Sequence, residues 1–490
     1  MMNESILQQK IQSLLQYPIL NHQAVKKLGE ILKTLEDWSL FRINPLRFAK
    51  QQGLNENEII DIFVHGAKIG LFDLSYHLVC PACHGIVHNH QSLGELEKDS
   101  FYCALCDIEE PTTLDEIVEV SFTLHPSVKE LDINPFADLL SYLHYYFSTN
   151  YQKSEQAEAF FKDNLIKEFV VLTPDERQTI SLEVASNQPY EIVSVEKNVA
   201  VMLDFNQSHG EQPKEIDIDL LPTAFAPSKI ALPLGAYQFH LKNHTKNSVG
   251  CLVVKRDKKR YHEIVDHYPT TFTPFLTAKM LLNNQSFRDL FRVQQVSETF
   301  NVNVKNLTIM FTDLRGSTEM YDKAGDVFAY KLVQTHFKIL TETVRQYSGA
   351  VVKTMGDAIM ATFSRPLDGF LASLEMLSKI EQMNETWKEA GYEIGLKVGI
   401  NEGPALAVVN DERIDYFGQS VNIAARVQGL AQAGEVWMTQ SILESPEVTD
   451  KLLMSGYQTQ QHSASLKGVG QPTIVHKVFK NEYVNKESKL

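Results

Sequence analysis

The chain has 490 residues, 43% hydrophobic and 22% charged, enough to bury several cores and too apolar for wholesale disorder. Its 46 Lys and Arg against 61 Asp and Glu leave a net charge of −15, which argues against a surface built to grip nucleic acid or an anionic membrane. No apolar run approaches the ~20 residues that span a bilayer, and the opening MMNESILQQK lacks the cationic start and apolar core of a signal peptide, so the expected location is the cytoplasm.

Residues 1–75 read as a helical module. Within it, residues 44–74 hold two helical patterns parted by a turn at Gly53, an arrangement that resembles a winged helix-turn-helix. Its charge does not suit DNA. Residues 1–125 carry 9 Lys and Arg against 17 Asp and Glu, so a packing module is the better reading.

Residues 76–115 hold two Cys-x-x-Cys pairs, Cys80/Cys83 and Cys103/Cys106. Without an export signal, that spacing points to a closed four-thiolate zinc ribbon holding one structural Zn²⁺, with a redox dithiol as the other reading. His84, His88 and His90 lie between the pairs and read as surface loop residues rather than ligands.

From 116 to 272 the pattern turns to β. EIVEVSF, YEIVSVE, GAYQFHLKN and VGCLVVKR alternate, and residues 137–169 supply one or two inserted helices. The expectation is an antiparallel sandwich or barrel, with Cys251 as a buried small apolar residue. Residues 273–300 form a helical linker whose apolar stripe runs through Leu276, Met280, Phe287 and Phe291.

Residues 301–482 carry the chemistry. NLTIMFTDLRGST is an apolar strand ending in Asp313, followed by Gly316, Ser317 and Thr318 at a helix start, where free N–H groups suit polyphosphate. GAVVKTMGDAIMATF is a hairpin with Asp357 at its tip. A carboxylate at a strand end and another at a neighbouring hairpin tip can converge on a pair of Mg²⁺ or Mn²⁺ ions. In IDYFGQSVNIAAR, Asn422 and Arg426 share one helical face, placed to reach a ribose and a strained phosphate together.

FTDLRGST, KTMGDA and DYFGQSVNIAAR, in that order, resemble the catalytic domain of class III nucleotidyl cyclases over about residues 301–480. The N-terminal part is similar to a zinc-containing regulatory region found ahead of some bacterial cyclases. The resemblance implies a ferredoxin-like βαββαβ core, giving a multidomain α+β chain. It implies that Asp313 and Asp357 hold two metal ions, that Lys353 and Asp415 read adenine, that Asn422 orients the ribose and that Arg426 stabilises the transition state. Lys467 aligns loosely with a lysine on the triphosphate. Gln419 departs from the acidic residue many relatives carry there.

On this reading the substrate is ATP, the product 3′,5′-cyclic AMP, and the sites are shared across a homodimer. Guanine would present the reversed hydrogen-bonding edge to Asp415 and Lys353, so ATP is favoured over GTP. The N-terminal region is expected to be regulatory, its signal a small ligand, an ion, a protein or nothing at all. The competing reading is a catalytically silent cyclase-like module.

Overall fold

The computed structural model describes residues 1–93, 100–115, 117–206, 214–291, 301–315, 326–387, 393–410 and 413–480. The N-terminal helices are α1 (Glu4–Leu14), α2 (His22–Thr34), α3 (Asp37–Leu40), α4 (Pro45–Gln52) and α5 (Glu56–Lys68). Four of the five open on an asparagine, Asn3, Asn21, Asn44 and Asn55, whose side chain accepts from N–H groups of the first turn. Strands β1 (Phe72–Val79), β2 (Ile86–His90), β3 (Ser100–Cys103), β4 (Ile108–Pro111) and β5 (Val118–Leu124) follow. The order β2-β1-β5 makes a three-stranded sheet, and Phe63 of α5 stacks on Phe72 of β1 at 4.6 Å. The β-rich region expected from 116 therefore begins later, because β5 pairs along its whole length with β1 in the N-terminal module.

Next come α6 (Leu139–Tyr146), β6 (Tyr151–Gln152), α7 (Glu155–Ala159) and a π-helical turn (Phe160–Leu165). Strands β7 (Ile166–Leu172), β8 (Arg177–Val184), β9 (Tyr190–Ser194), β10 (Val199–Asn206), β11 (Glu215–Leu220), β12 (Phe225–Ala226), β13 (Lys229–Pro233), β14 (Gly235–Asn243) and β15 (Val249–Lys255) then build a sandwich. Sheets β13-β10-β9-β15-β7 and β12-β11-β14-β8 face each other across Ile192, Val201 and Leu203 on one side and Ile180, Phe239 and Leu241 on the other. The sandwich is not purely antiparallel: β10–β13 and β11–β14 are parallel. Cys251 is buried within it as expected.

After α8 (Lys258–His267) and β16 (Thr271–Phe272), the expected linker contains two short helices, α9 (Ala278–Leu282) and α10 (Gln285–Leu290). They are anchored rather than free. Leu281, Leu282 and Phe287 join the N-terminal core, and Lys279 pairs with Asp115 at 2.9 Å.

The C-terminal part comprises β17 (Asn301–Arg315), α11 (Asp326–Gln346), β18 (Gly349–Met355), β19 (Ala358–Phe363), α12 (Pro366–Trp387), β20 (Gly395–Asn410), β21 (Arg413–Phe417), α13 (Gln419–Gln428), β22 (Glu435–Thr439), α14 (Gln440–Leu443), α15 (Pro446–Ser455), β23 (Tyr457–Ala464) and β24 (Thr473–Lys480). The order β18-β19-β17-β20 is that of a βαββαβ ferredoxin-like core, extended by β22-β24-β23, with β21 paired to β20 alone. Alternation along β17 sorts the two faces. Met310 and Leu314 pack under α11 and α12, whereas Leu307, Ile309 and Phe311 join the same apolar core as the N-terminal helices. Helix α13 lies on that second face. A Cβ at Gly399 would sit 2.1 Å from the Gln428 backbone nitrogen, so only glycine lets the helix lie this close. No helix among the described residues is long and apolar enough to cross a membrane.

Candidate active site

Asp313 is the last but two of the residues of β17 and shares a face with Ile309 and Phe311 by alternation. Phe311 pairs with Met360. Continuing that register by two residues places Asp313 opposite Ala358, beside Asp357 in the hairpin turn. Gly356, at φ 64°, makes that turn possible. One carboxylate oxygen of Asp357, Oδ2, is buried with no hydrogen-bond partner among the described residues. Asp313 meets Lys397 of β20 across the strand pair at 3.5 Å, a neighbour that the motifs do not include. It could have been foreseen only by pairing β17 with β20, a non-local step.

Lys353 and Asp415 come together. Lys353 Nζ donates to Asp415 Oδ2 at 2.6 Å, and the Tyr416 N–H donates to Asp415 Oδ1 at 2.8 Å. The Asp415 side chain is only 7% exposed and that of Lys353 38%, so the pair has a closed end and an open end. The Lys353 ammonium lies 5.9 Å from the centre of the Phe417 ring. Register irregularity between Val351 and Lys353 marks a bulge in β18, a feature that re-aims side chains.

Asn422 and Arg426 are both exposed on α13, one turn apart, as expected. Neither contacts Asp313, Asp357, Lys353 or Asp415 through a hydrogen bond or ion pair among the described residues. Lys467 is exposed between β23 and β24 and likewise touches none of them. Gly316, Ser317 and Thr318 lie outside the described residues.

Far along the chain, the four cysteines form a second constellation. The sulfur atoms of Cys80, Cys83, Cys103 and Cys106 all lie within 4.8 Å of one another, with Cys80–Cys106 and Cys83–Cys103 at 3.8 Å. The two loops are built alike. His84 N–H donates to Cys80 O at 2.9 Å and Asp107 N–H to Cys103 O at 2.8 Å, and both residues have positive φ, 65° and 55°. His88 is exposed, but His84 is not the surface residue expected. It is buried and stacks on Tyr151 at 4.0 Å.

Comparison with known proteins fits two families end to end. Residues 7–289 match a family of unknown function, DUF5939, and residues 301–476 match the adenylate and guanylate cyclase catalytic domain. Among curated relatives, the serine/threonine-protein kinase pkn2 of Myxococcus xanthus is 28% identical over 141 residues, 29% of this chain and 16% of the relative. Adenylate cyclase 2 of Rhizobium meliloti is 27% identical over 154 residues, 29% of this chain and 41% of the relative. The chain thus covers less than half the length of either. A solved adenylyl cyclase, CyaB from P. aeruginosa, superposes with a TM-score of 0.33 at 21% identity, over 37% of this chain and 96% of that one. The chain belongs to the DUF5939 family, followed by a class III adenylate and guanylate cyclase catalytic domain.

Proposed function

We propose that this chain is an adenylate cyclase, converting ATP to 3′,5′-cyclic AMP and pyrophosphate. The observation that carries the reading is the Lys353–Asp415 pair, 2.6 Å apart with the carboxylate nearly closed off from water. Adenine offers an N6 amino donor and an N1 acceptor on one edge. Asp415 accepts from the first and Lys353 donates to the second. Guanine reverses both, at about 1–3 kcal/mol for each group left unsatisfied.

The remaining candidates fit the transfer. The ribose 3′-hydroxyl attacks the α-phosphorus in line, its proton passes to solvent, and the bond to the pyrophosphate oxygen breaks. Asn422 holds the ribose. Arg426, with its forked guanidinium, meets the charge that grows on the α-phosphate and the leaving oxygen. Gly316, Ser317 and Thr318 would hold phosphate through backbone N–H groups, and Lys467 the outer phosphates. Asp313 and Asp357 fit a cation pair, since the buried Oδ2 of Asp357 has no hydrogen-bond partner among the described residues. Two Mg²⁺ or Mn²⁺ ions held there would acidify the 3′-hydroxyl and take up phosphate charge.

The exposure of Asn422 and Arg426, which make no hydrogen bond or ion pair with either carboxylate or the base-reading pair among the described residues, supports sites completed by a second copy of the chain. The cysteine cluster supports one structural Zn²⁺. A tetrahedron with metal–sulfur bonds of ~2.3 Å has edges of about 3.8 Å, the separation that two sulfur pairs already have. The test of the main reading is direct: purified full-length chain, ATP or GTP, Mg²⁺ or Mn²⁺, and chromatography of the product. Cyclic AMP formed faster than cyclic GMP is expected. No cyclic nucleotide from either substrate would refute it.

A further inference from the structure

The two strands that carry Lys353 and Asp415 are held from outside the catalytic domain. Among the described residues β18 is the edge of the large sheet and β21 pairs with β20 alone, so each has a side with no paired strand. Helix α10 reaches both strands there. Gln285 Oε1 accepts from the Val351 N–H at 2.8 Å, at the bulge that aims Lys353. Arg288 donates to the carbonyl of Ile414, the residue before Asp415, at 2.5 Å, and to Leu282 O at 3.4 Å. Asp289 pairs with Arg345 of α11 at 3.0 Å. Burial lowers the Arg288 guanidinium pKa below its usual value; Tyr416, Asp415 and Asp289 oppose the fall and Arg413 adds to it. Its partner beside the base-reading pair is the backbone of Ile414, next to Asp415 in the chain.

These polar contacts sit beside an apolar seam, since Phe287 of α10, Val352 of β18 and Ile414 of β21 belong to one buried core. A cavity of about 460 Å³ opens beside these contacts, lined by Gln285, Arg288, Phe291, Lys353, Arg413 and Ile414 among others.

We propose that Arg288 and Gln285 are positioning residues for base recognition: through them, α10 sets the geometry of the Lys353–Asp415 pair and so the nucleotide that the site accepts. The inference rests on the reading of that pair as the base reader. It links the DUF5939 region to substrate choice rather than to the transfer step.

The test uses the full chain carrying Arg288→Ala, Arg288→Lys or Gln285→Ala, with ATP and GTP compared in each. Arg288→Ala should raise KM for ATP about tenfold and shrink the ATP-over-GTP ratio of kcat/KM by a similar factor, with kcat changed less than about threefold. Arg288→Lys should recover part of the ratio, because it keeps the charge but not the fork. Gln285→Ala should move the ratio in the same direction by less, and it serves where the arginine variant fails to fold. A merely structural role would lower kcat for both nucleotides alike and leave the ratio unchanged, and that result overturns the proposal. If the unaltered chain makes no cyclic nucleotide, the functional reading fails on its own. The same ratio is then read from equilibrium binding of ATP and GTP, where an unchanged value again overturns the inference.

Discussion

Asp357 shows how one atom joins stability to function. A buried carboxylate oxygen without a partner costs free energy, about 1–3 kcal/mol or more for a charged group, unless something binds it. Replacing Asp357 by Ala should abolish turnover, by at least the ~10²–10³ typical of lost charge stabilisation, while the melting temperature of the metal-free protein holds or rises. Calorimetry beside a turnover assay checks both, and undiminished turnover would sink the two-metal reading. At this scale the sequence is informative where chemistry is local. Asp313, Asp357, Asn422 and Arg426 stand in short motifs whose spacing already states strand end, hairpin tip and helix face. Lys397 and Arg288 were not legible. Their importance lies in which strand or helix they meet, 84 residues away for Lys397 and Asp313 and 126 for Arg288 and Ile414.

The cysteine loops are the element whose geometry speaks most directly of its ligand. Each returns an N–H to the carbonyl of its first cysteine, and the Gly85 N–H donates to Cys83 Sγ at 3.4 Å, the kind of support a metal-bound thiolate receives. Elemental analysis of protein purified without chelator should find one zinc per chain, and Cys103→Ser should lose it. Absence of zinc would refute the closed site. Removal of the metal should loosen more than the loops, because Asn198 of the sandwich accepts from Ala104 N–H at 2.8 Å and donates to Tyr102 O at 2.6 Å. Strands were legible as alternation, but their partners were not. β5 alternates like a sandwich strand yet pairs with β1. Likewise, the parallel pairs β10–β13 and β11–β14 depend on crossovers that no local pattern encodes.

At the scale of the whole molecule, the prediction concerns two chains. If the metal carboxylates and Arg426 act from opposite copies, Asp313→Ala and Arg426→Ala should each be nearly inactive alone. Mixed in equal amounts with subunit exchange, half the dimers pair one of each, and one site of each such dimer is intact. Activity should return to about a quarter of the unaltered level. No recovery, with exchange confirmed by mass spectrometry, would leave a single-chain site as the better reading. The apolar core that runs from α1 through α9 and α10 onto Val302, Val304, Leu307 and Phe311 has a further consequence. Family boundaries suggest two pieces that could be traded between proteins like beads, yet the boundary near residue 300 cuts through a shared interior. A fragment starting there would carry a bare oily face and tend to aggregate. A change of volume on one side of that interior, at Phe287 for example, should therefore call for an answering change on the other, at Val304 or Leu307.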